Sequence, residues 1–206
     1  MSPRLRLAFL VTAILALGAI AGVLAFALGD RAAGTVNFEG ALRPPGIPPV
    51  PFGLRDQNGR PVRLADLRGR PAVVTFQYTT CRDTCPVTTA QIRGALDQLG
   101  HDVPVIAVSV DPRRDTPASA RAYTTKQHMD GRMRWALGRR AQLSRVWRAF
   151  GVQPQSARSE HSASTVLLDA RGRQRVGFFT DALTPEALAH DIRMLERERT
   201  AGASGA

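Results

Sequence analysis

The hydrophobic positions of the chain fall into two regimes. From Leu7 to Leu28 no residue is charged, and Arg4 and Arg6 stand just ahead of the run. A stretch of that length predicts a helix roughly 33 Å long, enough to cross the hydrocarbon core of a bilayer. The apolar core of a cleaved signal peptide is shorter, about 7–15 residues, so length favours a retained anchor. The anchor then occupies residues 1–28, with Ala25-Phe26-Ala27 as the alternative cleavage site. Arg4, Arg6 and the terminal amine precede the span, whereas Asp30 and Arg31 cancel after it. The positive-inside rule places the N-terminus in the cytoplasm and exports the chain beyond it.

Past the anchor, short apolar runs alternate with turn residues. Residues 29–51 are glycine-bearing and then rich in proline (Pro44, Pro45, Pro48, Pro49 and Pro51), which reads as an extended, semi-rigid tether. The folded domain is expected over residues 52–199 and a disordered tail over 200–206. Within the domain, Leu54 to Leu67, broken by Asn58-Gly59, predicts a hairpin. Ala72–Phe76 and Val103–Val110 are continuous apolar runs, the signature of buried strands. Helices are expected from Pro86 to Leu99, stopped by Gly100, and from Pro117 to about His128. Leu143, Val146, Trp147 and Phe150 are spaced i, i+3, i+4, i+7, which predicts a third helix with one apolar face. Ser164–Leu168 and Arg175–Phe179 flank Ala170-Arg171-Gly172 as a second hairpin, and Thr184-Pro185-Glu186 opens a last helix. This order predicts a three-layer α/β sandwich with a mixed sheet, preceded by one transmembrane helix.

Composition changes the picture in two respects. The 28 basic and 17 acidic side chains give a net charge of +11, and Lys126 is the sole lysine. Such a balance suggests nucleic acid, yet no zinc-finger, RNA-recognition or helix-turn-helix pattern is present, and an exported domain meets no genome. Residues 131–159 hold seven arginines and no acidic residue. They form a solvated helix face, or a basic patch that steers the domain toward an acidic partner or anionic lipid. The two cysteines exclude a disulfide-dense scaffold and any four-cysteine metal cage.

Those cysteines carry the chemistry. Cys81 and Cys85 lie between a buried strand and a helix, at the carboxyl end of a strand where α/β sheets place their sites. The helix N-terminus and Arg82 both favour thiolate, the form that binds metals and attacks disulfides. The spacing suits a soft metal, reversible oxidation or both, and a structural disulfide is the plain alternative. Among the histidines, His101, His128 and His190 read as surface residues. His161 stands in a polar loop just before a buried strand. Two thiolates and an imidazole would form a soft set that favours Cu(I), with zinc as the other candidate.

Three runs occur in order: Tyr78-Thr79-Thr80-Cys81-Arg82-Asp83-Thr84-Cys85-Pro86, then Ser109-Val110-Asp111-Pro112 with Arg114-Asp115-Thr116-Pro117, then His161-Ser162-Ala163 leading into a strand. Together they resemble the Sco/SenC family, membrane-anchored copper chaperones for cytochrome c oxidase assembly. The resemblance covers residues 52–199 and the anchor. It implies a thioredoxin-like fold, and Cys81, Cys85 and His161 as ligands of copper in either oxidation state. It also implies a bacterial inner-membrane protein whose domain lies in the periplasm. The implied acceptor is the CuA domain of cytochrome c oxidase subunit II, which receives copper or has its cysteines reduced. A second copper chaperone is the implied donor, and neither enzymatic turnover nor nucleic acid is expected. Family members commonly have Gly where Gln77 stands and Asp where Glu160 precedes the histidine. Asp111, Pro112, Asp115 and Thr116 read as a strand-end turn and a helix cap rather than as ligands.

The rival class is a periplasmic thiol–disulfide oxidoreductase, peroxidase or redox sensor of thioredoxin type, without copper delivery. General members of that class resemble one another in a proline facing the cysteines. Here the corresponding stretch is Glu160-His161-Ser162-Ala163-Ser164, with a histidine and no proline.

Overall fold

The computed structural model describes residues 12, 14–22, 37–45, 47, 51–154 and 164–203. The chain divides into two units, Met1–Asn37 and Phe38–Ala206. In the first, residues 14–22 are helical, with Ile14, Leu15, Leu17 and Ile20 exposed. Among the described residues no helix is long and apolar enough to cross a membrane. Most of the expected span over 7–28 lies outside them.

The second unit is built on a six-stranded mixed sheet. Its strands are β1 (Ala41–Leu42), β4 (Ala72–Gln77), β5 (Val105–Ser109), β6 (Met133–Ala136), β7 (Ser164–Leu168) and β8 (Gln174–Phe179), in the order β1-β8-β7-β4-β5-β6. β4, β5 and β6 run parallel, β7 pairs antiparallel with β4, and β8 pairs antiparallel with β7. The expected first hairpin is present as β2 (Gly53–Arg55) and β3 (Pro61–Arg63), followed by a 3-10 turn over Leu64–Leu67. Its turn is fixed by Gly59 at φ +76° and by the Asp56 carboxylate, which accepts the N–H groups of Asn58 and Arg60.

Four helices cover the sheet: α1 (Thr84–Leu99), α2 (Pro117–Lys126), α3 (Arg140–Phe150) and α4 (Pro185–Ala203). Helices α1, α2 and α4 pack on one face around Ile92, Leu96, Tyr123, Trp135, Leu188 and Ile192. On the other face α3 and the hairpin enclose Leu54, Phe76, Val108, Leu143 and Phe150. The apolar stripe read from the sequence points α3 inward, and Trp147 fixes its depth by donating its indole N–H to the Ser109 carbonyl at 2.9 Å. Every residue of β4 is buried, as a central strand covered on both faces requires.

Several boundaries differ from the sequence expectation. The stretch expected as tether contributes β1, which pairs with β8 at Ala41–Gly177 and Leu42–Val176. The fully buried Asp191 carboxylate of α4 accepts the N–H groups of Glu39 and Gly40 at 2.8 and 3.0 Å and fastens this segment to the domain. The short strand β6 was not expected, and α4 continues into the stretch expected as a disordered tail. Helix α1 begins at Thr84, so Cys85 and Pro86 both lie in its first turn. Proline is tolerated there because first-turn N–H groups have no intrahelical partner.

Candidate metal centre

The cysteine loop leaves β4 after Gln77 and enters α1 at Thr84. A bond from the Cys81 N–H to the Tyr78 carbonyl, 3.2 Å, tightens the loop into a turn. The residue at the N-cap position of α1, Asp83, makes no side-chain cap. The Cys81 sulfur takes that part: it accepts the Cys85 backbone N–H at 3.2 Å and lies 3.6 Å from the Thr84 hydroxyl. The sequence spacing of the two cysteines therefore sets one sulfur on the end of the helix that bears the other.

Both cysteines are buried free thiols in this structure. The Cys85 side chain favours the thiolate of Cys81. Together with the backbone N–H groups of Cys85 and Asp83 and the Thr84 hydroxyl, it holds the Cys81 thiol down at about 5 against the opposing effect of burial. Cys85 is pushed up, first by the Cys81 side chain and then by burial. The pair thus shares one proton, carried by Cys85, and presents Cys81 as thiolate at neutral pH. Cys81 lines a cleft of about 610 Å³ between the start of α1 and α2, whose walls include Thr80, Arg82, Pro86, Tyr123 and Lys126. Cys85 lies behind it, 1% exposed.

A second loop holds the first in place. Asp115, between β5 and α2, is 8% exposed. Its carboxylate accepts the Thr79 N–H and the Thr79 hydroxyl, both at 2.8 Å, and the Ser109 hydroxyl. Burial pushes this carboxyl above the usual range, while its hydrogen bonds from Ser109 and Thr79 pull the other way. Thr116 caps α2 as expected, accepting the Ser119 N–H at 3.1 Å. Asp111 pairs with Arg114 at 2.7 Å. The expectation for Asp115 as part of a turn was thus incomplete. The signal was a charged residue in the one run otherwise accounted for by turn and cap chemistry.

His161 lies outside the described residues. The described chain resumes at Ser164, the first residue of β7, and Thr165 pairs with Thr75 of β4. β7 therefore starts at the sheet end from which the cysteine loop departs. The other histidines are engaged elsewhere: His101 with Glu196 at 2.8 Å, and His190 with Asp191 at 3.0 Å, while His128 turns the chain after α2 at φ +55°. Among the described residues no three His, Cys, Asp or Glu side chains are grouped to hold a metal ion. The described donor set is the pair Cys81 and Cys85. Of the arginines over 131–159, Arg132 pairs with Asp97 and Asp102 and Arg134 with Asp56, whereas Arg140 stacks 5.8 Å over Trp147.

Residues 46–197 match the family model described as SCO1/SenC. The chain is similar to the protein SenC of Rhodobacter capsulatus, with 29% identity over 152 residues that cover 69% of this chain and 67% of that protein. Among solved structures it is similar to copper-bound ScoI of Bradyrhizobium japonicum, at 34% identity and a TM-score of 0.61, covering 70% of this chain and 96% of that one. It is also similar to apo Sco1 of Thermus thermophilus, at 27% identity and a TM-score of 0.65, covering 79% and 99%. The mixed sheet with helices on both faces is the thioredoxin-like arrangement of these neighbours.

Proposed function

The chain belongs to the SCO1/SenC family, and on that premise we propose that it is a copper metallochaperone whose ligands are Cys81, Cys85 and His161. The observation that carries the reading is the sulfur pair at the start of α1, with Cys81 already thiolate and facing a cleft. Two thiolates and an imidazole make a soft donor set suited to Cu(I), and the copper-bound state of a similar protein supports the same cargo. Uptake displaces the proton that Cys85 holds, since thiolate is the binding form. Release is ligand exchange: the cleft admits an incoming cysteine or histidine to the Cys81 side while Cys85 still holds the metal from behind.

The acceptor in this reading is the CuA domain of cytochrome c oxidase subunit II, during assembly of the oxidase. A second copper chaperone serves as donor. The domain works in the bacterial periplasm, tied to the inner membrane by the single helix over residues 7–28 with its N-terminus cytoplasmic. Delivery, not turnover, is its task. Anaerobic titration with Cu(I) tests this. It saturates at a single equivalent in the wild type and loses tight binding in Cys81→Ser, Cys85→Ser and His161→Ala. Tight binding with unchanged spectra in His161→Ala would remove the histidine from the set.

A second reading has one observation in its favour. A low-pKa thiolate beside a thiol that retains its proton is also what thiol–disulfide exchange uses. On that reading the chain reduces the acceptor's cysteines, becoming Cys81–Cys85 disulfide as the acceptor disulfide becomes two thiols. Thiol counting before and after contact with the oxidised acceptor separates the two.

A further inference from the structure

Gln77 is the last residue of β4, where the cysteine loop departs, and its side chain is 1% exposed. Its amide Nε2 donates to the Thr75 hydroxyl at 3.3 Å, and its Oε1 accepts the Thr89 hydroxyl at 3.1 Å. Thr89 stands one turn along α1 from Cys85. Its oxygen lies 2.9 Å from the Cys85 carbonyl oxygen and 3.0 Å from the Tyr123 hydroxyl. The single Thr89 hydrogen is shared between the Gln77 Oε1 and the Cys85 carbonyl, so Tyr123 is the donor in its bond to Thr89. Thr165 of β7 donates to Thr75 at 3.2 Å. A hydrogen-bonded chain therefore runs from α2 through α1 and β4 to β7, every member buried. Its α2 end, Tyr123, lines the cleft that opens on Cys81.

Burying these polar groups is unfavourable unless each is paired, and apolar side chains of the same size would join the elements with less desolvation. What paired polar groups add is direction and uniqueness of register. Cys81 rides on the loop that β4 carries, and Cys85 rides on α1. The Gln77–Thr89 bond spans the same two elements four residues away along each, so it fixes the frame in which the two sulfurs meet. We infer that Gln77, acting through Thr89 and Tyr123, is a positioning residue that sets the spacing of the Cys81–Cys85 pair. Through that spacing it governs how long copper is held and how readily the pair oxidises. The copper half rests on the proposed function; the oxidation half concerns the thiols alone.

The test uses the full chain. Gln77→Met keeps length without polarity and leaves Thr89 the Cys85 carbonyl as acceptor, so no hydroxyl is orphaned. Thr89→Val removes the hydroxyl at constant shape, and Thr89→Ser restores it. Cu(I) release to a chromophoric chelator is followed with time, and the midpoint potential of the cysteine pair is measured in mixtures of reduced and oxidised dithiothreitol. Outer partners of metal ligands typically change affinity by about 10–100-fold. Release at least tenfold faster is expected in Gln77→Met and Thr89→Val, with wild-type release in Thr89→Ser. The potentials of the same two variants should move by about 30 mV, a tenfold change in the two-electron equilibrium. Unchanged release and potential in both variants would overturn the inference, whatever happens to their melting points. So would a serine variant that behaves like valine. If the wild type takes up no copper, the proposed function fails, and the potentials alone decide the positioning role.

Discussion

Replacing Asp115 tests whether the cysteine loop is held from the neighbouring strand end. Three hydrogen bonds converge on its carboxylate, from the Thr79 N–H, the Thr79 hydroxyl and the Ser109 hydroxyl. Bonds to a charged group contribute roughly 1.5–3 kcal/mol each. Burial offsets part of this, as the raised pKa of Asp115 shows. Asp115→Ala, which orphans the Thr79 N–H, should lose about 2–4 kcal/mol. That corresponds to roughly 4–16 °C in Tm for a domain of this size. Asp115→Asn keeps an acceptor for Thr79 and can donate to Ser109 once that hydroxyl turns, so it should lose about 1 kcal/mol or less. The pH dependence has a definite sign. The folded-state pKa of Asp115 is raised, so its contribution is fully present below the unfolded value of 3.8 and is lost as pH rises through the folded value. The asparagine variant should therefore gain on the wild type between mildly acidic and neutral pH. Urea unfolding followed by the fluorescence of buried Trp135 and Trp147 reads both effects. An alanine variant within about 0.5 kcal/mol of wild type, an ordinary surface-substitution effect, would refute the clamp. So would an asparagine gap that moves the other way with pH.

Three further outcomes follow from the same contacts. In the metal-free reduced protein, alkylation of Cys81 by iodoacetamide should be flat from pH 7 to 9 and fall only toward about 5, where its thiolate is lost. A rate that climbs through the ordinary thiol range would contradict the shared-proton arrangement. Gly40→Ala places a Cβ 2.5 Å from Val176 Cγ1 and 2.7 Å from Phe178, and should lose about 1–3 kcal/mol by urea midpoint while exposing residues 37–43 to protease. Charge reversal at Arg139, Arg145 and Arg148, leaving Arg140 on Trp147, should slow copper transfer at low salt and leave Cu(I) affinity intact. Transfer that is equally fast at low salt would retire electrostatic steering by α3.

The parts of the fold legible in the sequence are those set by local chemistry. Asn58-Gly59 announced its hairpin, Gly100 ended α1, Thr116 and Pro117 opened α2, and the spacing of Leu143 to Phe150 gave the buried face of α3. What escaped depends on partners far along the chain. β1 is only Ala41–Leu42, in proline-rich surroundings, and is secured by Asp191 of α4. β6 has four residues, one of them Arg134, whose guanidinium leaves the sheet to meet Asp56. The site divides the same way. Cys81 and Cys85 stand out by their place between a buried strand and a helix. The cap that Cys81 gives α1 is hidden because a sulfur four residues upstream does what Ser or Asp usually does. Asp115 reaches Thr79 across 36 residues, and Gln77 reaches Thr89 across 12, separations at which no periodicity speaks. His161 was legible by resemblance alone and lies outside the described residues.

The central claim is that two sulfurs and one imidazole hold the cargo. Copper K-edge absorption on the anaerobically loaded chain, compared with loaded His161→Ala, addresses it most directly. The expected spectrum of the wild type fits two sulfur donors and one nitrogen donor, and the nitrogen contribution disappears in the variant. A wild-type spectrum with sulfur donors only, or a variant spectrum that keeps the nitrogen, would contradict the assignment of Cys81, Cys85 and His161.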